Sequence, residues 1–181
     1  VVCCDIETPW GGLTKHIVCY PFEQRIEVIY HGDVSWPRDG SFRMGHVTLN
    51  PRAFDRRSLY YAAHNGGDVA ERHMLWSAEG LVDCDHGASV SRLVSATTGL
   101  GMTSGILELG DDEKFVRLSM KREDAAGVGL ITSKAVDDSF FVRASLSLCE
   151  VDETLHSNLS VLSSNVLEPI MRYSIEIGEH C

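Results

Sequence analysis

The sequence has no long hydrophobic run. Its longest apolar stretches are about five residues, such as 26–30 with Glu27 inside. A membrane-spanning helix needs roughly 20. Basic residues are also scarce: 16 Lys and Arg stand against 26 Asp and Glu, a net charge of −10. An acidic surface repels phosphate backbones and anionic lipid, so neither nucleic acid nor membrane is an expected partner. No Cys-x-x-Cys occurs, which removes a zinc ribbon and a thioredoxin-like motif. His-x-His, His-Glu-x-x-His and Gly-x-Ser-x-Gly are absent too. The glycines of 99–105 are followed by no Lys, so they do not form a phosphate-binding loop. No cofactor and no metal ligand set is expected on these grounds.

What is present is ordinary globular material. The 181 residues are 44% hydrophobic and 23% charged, which suits one domain with a self-sufficient core. No internal repeat or linker divides residues 1–181, so the reading is a single domain. The chain begins at Val1 inside a strand-like run, which reads as a domain excised from a longer protein.

Short β-type runs alternate with turn residues. Expected strands cover 1–7, 15–20, 25–30, 45–49, 59–64, 90–97, 104–109, 115–121, 127–132, 139–149 and 172–177. In the run from Phe141 to Leu148, Val142, Ala144, Leu146 and Leu148 share one face. That period of two marks a half-buried antiparallel strand. Turns are expected at Pro9–Gly12, Pro37–Gly40, Asn65–Gly67, Gly110–Asp112 and Asp137–Asp138. Helical periodicity is scarce: 152–167 holds at most one short helix, and 52–58 one helical turn. The fold class is therefore all-β, with little helix: two packed antiparallel sheets forming a large β-sandwich.

The densest polar constellation runs from Gly45 to Gly87. It holds His46, His64, His73 and His86 with Asn65 and Asp85. Loop imidazoles and an amide can hydrogen-bond ligand hydroxyls, while Gly66 and Gly67 let backbone approach closely. Neutral imidazoles with Asp85 could instead take a metal, but the spacing matches no compact metal motif. The plain alternative is a turn flanked by strand-end histidines. Trp10, Trp36, Trp76, Tyr60 and Tyr61 can stack on sugar rings or plug the core. Tyr60 and Tyr61 are adjacent and face opposite ways, so one core-facing ring is expected. The candidate ligand contacts are Trp36, His64, Asn65 and His86. No pair among Glu7, Asp85, Glu108, Glu150 and Asp152 stands out as catalytic. Asp111-Asp112-Glu113 reads as a solvated hairpin loop rather than a calcium site.

Six cysteines lack regular spacing. Cys3, Cys19 and Cys149 lie in apolar runs, where a thiol acts as a small buried hydrophobe. Reduced cysteines imply a reducing compartment, and a cytoplasmic location is expected.

Five runs together resemble a family. They are Asp5–Gly11, Gly45–Pro51, His64–Gly67, Asp85–Gly87 and Val136–Phe141. The chain resembles the β-sandwich portion that follows the catalytic barrel in large glycoside hydrolases of family 57 and α-mannosidase-like type. That portion is similar to the galactose-mutarotase-like supersandwich. The resemblance implies a non-catalytic domain that supports a catalytic domain of the parent chain and helps contact an oligosaccharide. The catalytic carboxylates of that family lie in the barrel, so none is carried over. The alternative is a stand-alone mutarotase-like epimerase using a His/carboxylate pair, His64 or His86 with Glu150.

Overall fold

The computed structural model describes residues 1–9, 11–32, 42–64, 66, 69–77, 80–81, 99–100, 102–121, 127–149 and 169–180. Within them the chain is a large antiparallel β-sandwich. One sheet contains β1 (Val2–Thr8), β2 (Gly11–Cys19), β3 (Arg25–Gly32), β5 (Tyr60–Ala63), β6 (Glu71–Met74), β10 (Ile106–Gly110), β11 (Lys114–Met120) and β14 (Met171–Glu179). Its spatial order is β1-β2-β3-β14-β11-β10-β5-β6. The second sheet, in the order β4-β13-β12-β9, uses β4 (Phe42–Thr48), β9 (Gly99–Leu100), β12 (Val128–Val136) and β13 (Ser139–Cys149). Two short strands, β7 (Trp76–Ser77) and β8 (Gly80–Leu81), pair with each other. Among the described residues the one helical turn is a 3-10 segment at Arg56–Ser58, inside the expected stretch 52–58.

Alternation builds the core. Val116, Leu118 and Met120 on β11 face inward, as do Leu107 and Leu109 on β10 and Met171 and Tyr173 on β14. They meet Phe140, Val142, Ala144 and Leu146 from β13. The shared face expected for β13 is therefore the core face, and Leu148 packs against its margin. On β3, Val28 and Tyr30 are buried. The Tyr30 and Tyr173 rings stack at 6.5 Å. Burial, then Tyr30, pushes the Tyr173 phenol up and keeps it neutral.

Ten of the eleven expected strands are present, shifted at their ends by a few residues at most, apart from β2 and β12. Those two grow longer because hairpin partners extend pairing into polar sequence. The expected strand at 90–97 and the segment 152–167 lie outside the described residues. Strand β6 was not expected: Glu71-Arg72-His73-Met74 has no apolar alternation, because an edge strand needs little.

Two expectations need correction. Cys3 and Cys19 are exposed, not buried, because β1 lies at the sheet margin and β2 ends in the open. Asp111 is buried at 2% exposure rather than solvated, while Asp112 and Glu113 remain exposed. Tyr60 and Tyr61 face opposite ways as expected: Tyr61 enters the core, and Tyr60, also buried, is covered on the outer face by polar side chains.

Candidate functional site

His64 follows directly on the last residue of β5, at the sheet end. Thr103 fixes its backbone: the Thr103 amide and hydroxyl both donate to the His64 carbonyl, at 2.9 and 3.0 Å. The same hydroxyl accepts from the Gly66 amide at 3.0 Å. The His64 Nδ1 lies 2.8 Å from the Ser104 hydroxyl. The ring is thus pinned through one nitrogen and is half-buried. Trp36, Asn65 and His86 lie outside the described residues, as do Asp85, Glu150 and Asp152. His46 sits on β4 of the other sheet and is exposed. His73 sits on β6, stacked on Tyr61 with ring centroids 5.1 Å apart. The structure therefore does not gather His46 with His64 and His73. Trp76 packs against the core with Arg56 over its ring, so it plugs rather than displays.

A second polar assembly occupies the outer face of the same sheet. Sheet register makes it: Glu108 pairs with Arg117, Arg117 with Glu176, and Glu176 with Arg25. Charge alternates along this row of four strands, β10, β11, β14 and β3. The Arg117 fork donates to Glu108 Oε2 from Nε at 3.0 Å and Nη2 at 2.7 Å. Its Nη1 lies 3.7 Å from Glu176. Both nitrogens converge on one carboxylate oxygen, and hydrogen bonds between ionised groups are the stronger kind.

Tyr60 completes the assembly. Its phenol donates to Glu108 Oε1 at 2.6 Å. His180 Nε2 stands 3.0 Å from the same oxygen. Since the phenol proton goes to the carboxylate, the His180 nitrogen is the donor, which fixes the hydrogen on Nε2. The Arg72 guanidinium covers the Tyr60 ring 3.6 Å from its centroid. Burial, and then Glu108, push the Tyr60 phenol up, so it stays protonated.

Both oxygens of Glu108 are engaged. The assembly therefore braces the sheet face: Oε1 accepts from Tyr60 and Oε2 from Arg117. Glu108 was among the conceivable carboxylates, but Arg117, His180 and Glu176 were not singled out. The signal lay in parity: 60, 108 and 117 face outward once the register is known, and register is not written in one strand.

Among the described residues, no group of three His, Cys, Asp or Glu side chains stands ready to hold a metal ion. Among them, too, no helix is long and apolar enough to cross a membrane. No family model matches the chain, and no curated protein and no solved structure shows significant similarity to it.

Proposed function

We propose that the chain is a non-catalytic β-sandwich domain of a carbohydrate-active enzyme. In this reading it supports a catalytic domain of the parent chain and touches glycan at the sheet end around His64. The observation that carries it is the His64 clamp. Thr103 holds the backbone and Ser104 holds Nδ1, so the imidazole is a pre-oriented polar group just past the end of β5. Pre-orientation lowers the entropy lost when a ligand hydroxyl is bound. The sequence places Asn65 beside it.

Calorimetric titration with α-glucan and mannan oligosaccharides tests the glycan contact. Heat that disappears in His64→Ala is the expected result. No heat with either sugar sinks it.

One observation favours a second reading, a stand-alone mutarotase-like epimerase. Glu108 and His180 share the Tyr60 oxygen, which places a carboxylate and an imidazole one phenol apart. Such pairs serve as acid and base near neutral pH. The Arg117 fork on Glu108 weighs against it. Polarimetry of aldose anomers decides: interconversion that Glu108→Gln abolishes supports this reading, and the uncatalysed rate in the wild type ends it.

A further inference from the structure

Strand β1 ends the large sheet. It is paired with β2, and among the described residues no strand lies on its other side. Its outward backbone N–H and C=O groups form an open hydrogen-bonding edge. The opposite edge strand, β6, is short and carries the charges of Glu71 and Arg72. Such features blunt an edge, and β1 has few of them. It runs for seven residues without Pro, Lys or Arg, and it pairs with β2 in unbroken register. Its two carboxylates, Asp5 and Glu7, share the outer face with Cys3. Val2, Cys4 and Ile6 take the other face. They pair with Ile17, Lys15 and Leu13, and Ile17 and Lys15 pair in turn with the buried Val28 and Tyr30. That is the core side of the sheet, yet Val2 and Ile6 are 56% and 36% exposed there.

We propose that β1 is a docking edge for a second copy of this chain, which adds its own β1 antiparallel across a two-fold axis at Cys4. Parity and charge select that register. Every second residue of a strand turns its backbone groups to the same edge, so only residues of equal parity stand opposite each other. An axis at Cys3 pairs no more than residues 2–4 of the strand. An axis at Asp5 sets Asp5 against its own copy, one at Ile6 sets Asp5 against Glu7, and one at Glu7 sets Glu7 against its own copy. Like charges directly opposite are destabilising. The axis at Cys4 gives the longest register that avoids them. Val2 then meets Ile6 of the second copy, Cys3 meets Asp5, and Cys4 meets Cys4. Val2 and Ile6 thereby lay an apolar row across the join on the core side, where both are exposed in the single chain. The pairing is small beside the roughly 1,200 Å² of a standard interface, and each copy carries a net charge of −10. The dimer is accordingly weak and concentration-dependent. The edge lies at the other end of the sheet order from β5 and His64, and its pairing needs no glycan.

Sedimentation equilibrium of the reduced full chain over a range of concentrations tests the pairing. Physiological salt screens the repulsion between the two acidic copies beyond about 8 Å. The mass should rise from monomer to dimer with concentration. Val2→Glu should return it to monomer. Adding Ile6→Lys to Val2→Glu should restore the dimer, because Glu and Lys then stand opposite each other across the join. Within one strand positions 2 and 6 lie about 13 Å apart, too far for the two charges to pair. Diamide gives a second readout: two thiols pass two electrons and two protons to it as one S–S bond forms. Opposed Cys4 residues have Cα atoms about 4.5–5.5 Å apart, within disulfide reach. The trapped dimer should vanish in Cys4→Ser and persist in Cys3→Ser. Circular dichroism of each variant checks that the sheet persists. The proposal is overturned if the wild type stays monomeric at every concentration, or if Val2→Glu remains dimeric. It is also overturned if the double variant, folded, stays monomeric, or if trapping survives Cys4→Ser.

Discussion

Tyr60 fills the hollow that Gly110 leaves on the neighbouring strand. The two residues are directly paired across β5 and β10. A Cβ added at Gly110 would stand 2.8 Å from the Tyr60 hydroxyl and 2.6 Å from the Lys114 carbonyl oxygen. Phe115 lies over Gly178 in the same way, two strand pairs along. Large rings can thus lie flat on the outer face because their cross-strand partners have no side chain.

Gly110→Ala tests that relationship. One of the obstructing atoms is backbone, so a rotamer change cannot relieve the clash. Overpacking of this kind costs about 1–3 kcal/mol. Urea denaturation should show a lower midpoint with an unchanged slope. An unchanged midpoint would mean that the Tyr60 ring does not rest there.

Asp111 makes the second prediction. Its Oδ1 accepts from the Glu113 and Lys114 amides, both at 2.9 Å, and its Oδ2 from the Asp55 amide at 2.8 Å. One carboxylate thereby joins the β10–β11 turn to the loop before the 3-10 segment. Burial alone would raise its pKa; the three amides and Lys114 outweigh burial and hold it below the usual carboxylate range. A depressed carboxyl stabilises the fold above the unfolded value of about 4 and loses that contribution as pH falls through the folded value. Asp111→Ala should cost about 2–3 kcal/mol at neutral pH, since buried amides lose a charged acceptor. The gap to wild type should narrow in acid. Parallel pH-stability curves for the two proteins would refute the assignment.

The sheet class was legible because alternation is a local property. Val142, Ala144 and Leu146 declare a core face in their own strand, and each is fully buried. The polar network was not legible, because Glu108, Arg117 and Glu176 meet only through the register of three strands. Exposure of Cys3 escaped sequence reading for a related reason. An apolar run shows that a strand forms, but sheet order alone shows that β1 is the margin. His64 was legible as a polar loop residue; its clamp by Thr103 and Ser104, forty residues on, was not.

His31 should make stability acid-sensitive in a higher pH window. Burial first, then His16 and Arg172, disfavour its imidazolium in the folded state. Its folded pKa therefore lies below the unfolded value of about 6.5. The contribution is full above that value and is lost as pH falls through the folded one. His31→Gln should flatten the stability curve between neutral and mildly acidic pH. Thermal melts across that window read it directly. A slope equal to wild type would place the titrating group elsewhere.

The last prediction separates the two bonds that meet at Tyr60. Tyr60→Phe keeps the ring under Arg72 and above Gly110 but removes the oxygen that Glu108 and His180 share. Glu108 then keeps its Arg117 fork, while His180 loses its side-chain partner and retains its backbone bond to Glu113. The phenol bond ends on a charged acceptor, so its loss should cost about 1.5–3 kcal/mol. Glu108→Gln weakens both the phenol bond and the Arg117 pair, and should cost more. In the double variant the phenol bond is already absent, so the two costs should not add. Urea midpoints of the four proteins supply the cycle. Full additivity would mean that the Tyr60 hydroxyl and the Glu108 carboxylate act independently, and the bracing role of the network would fall.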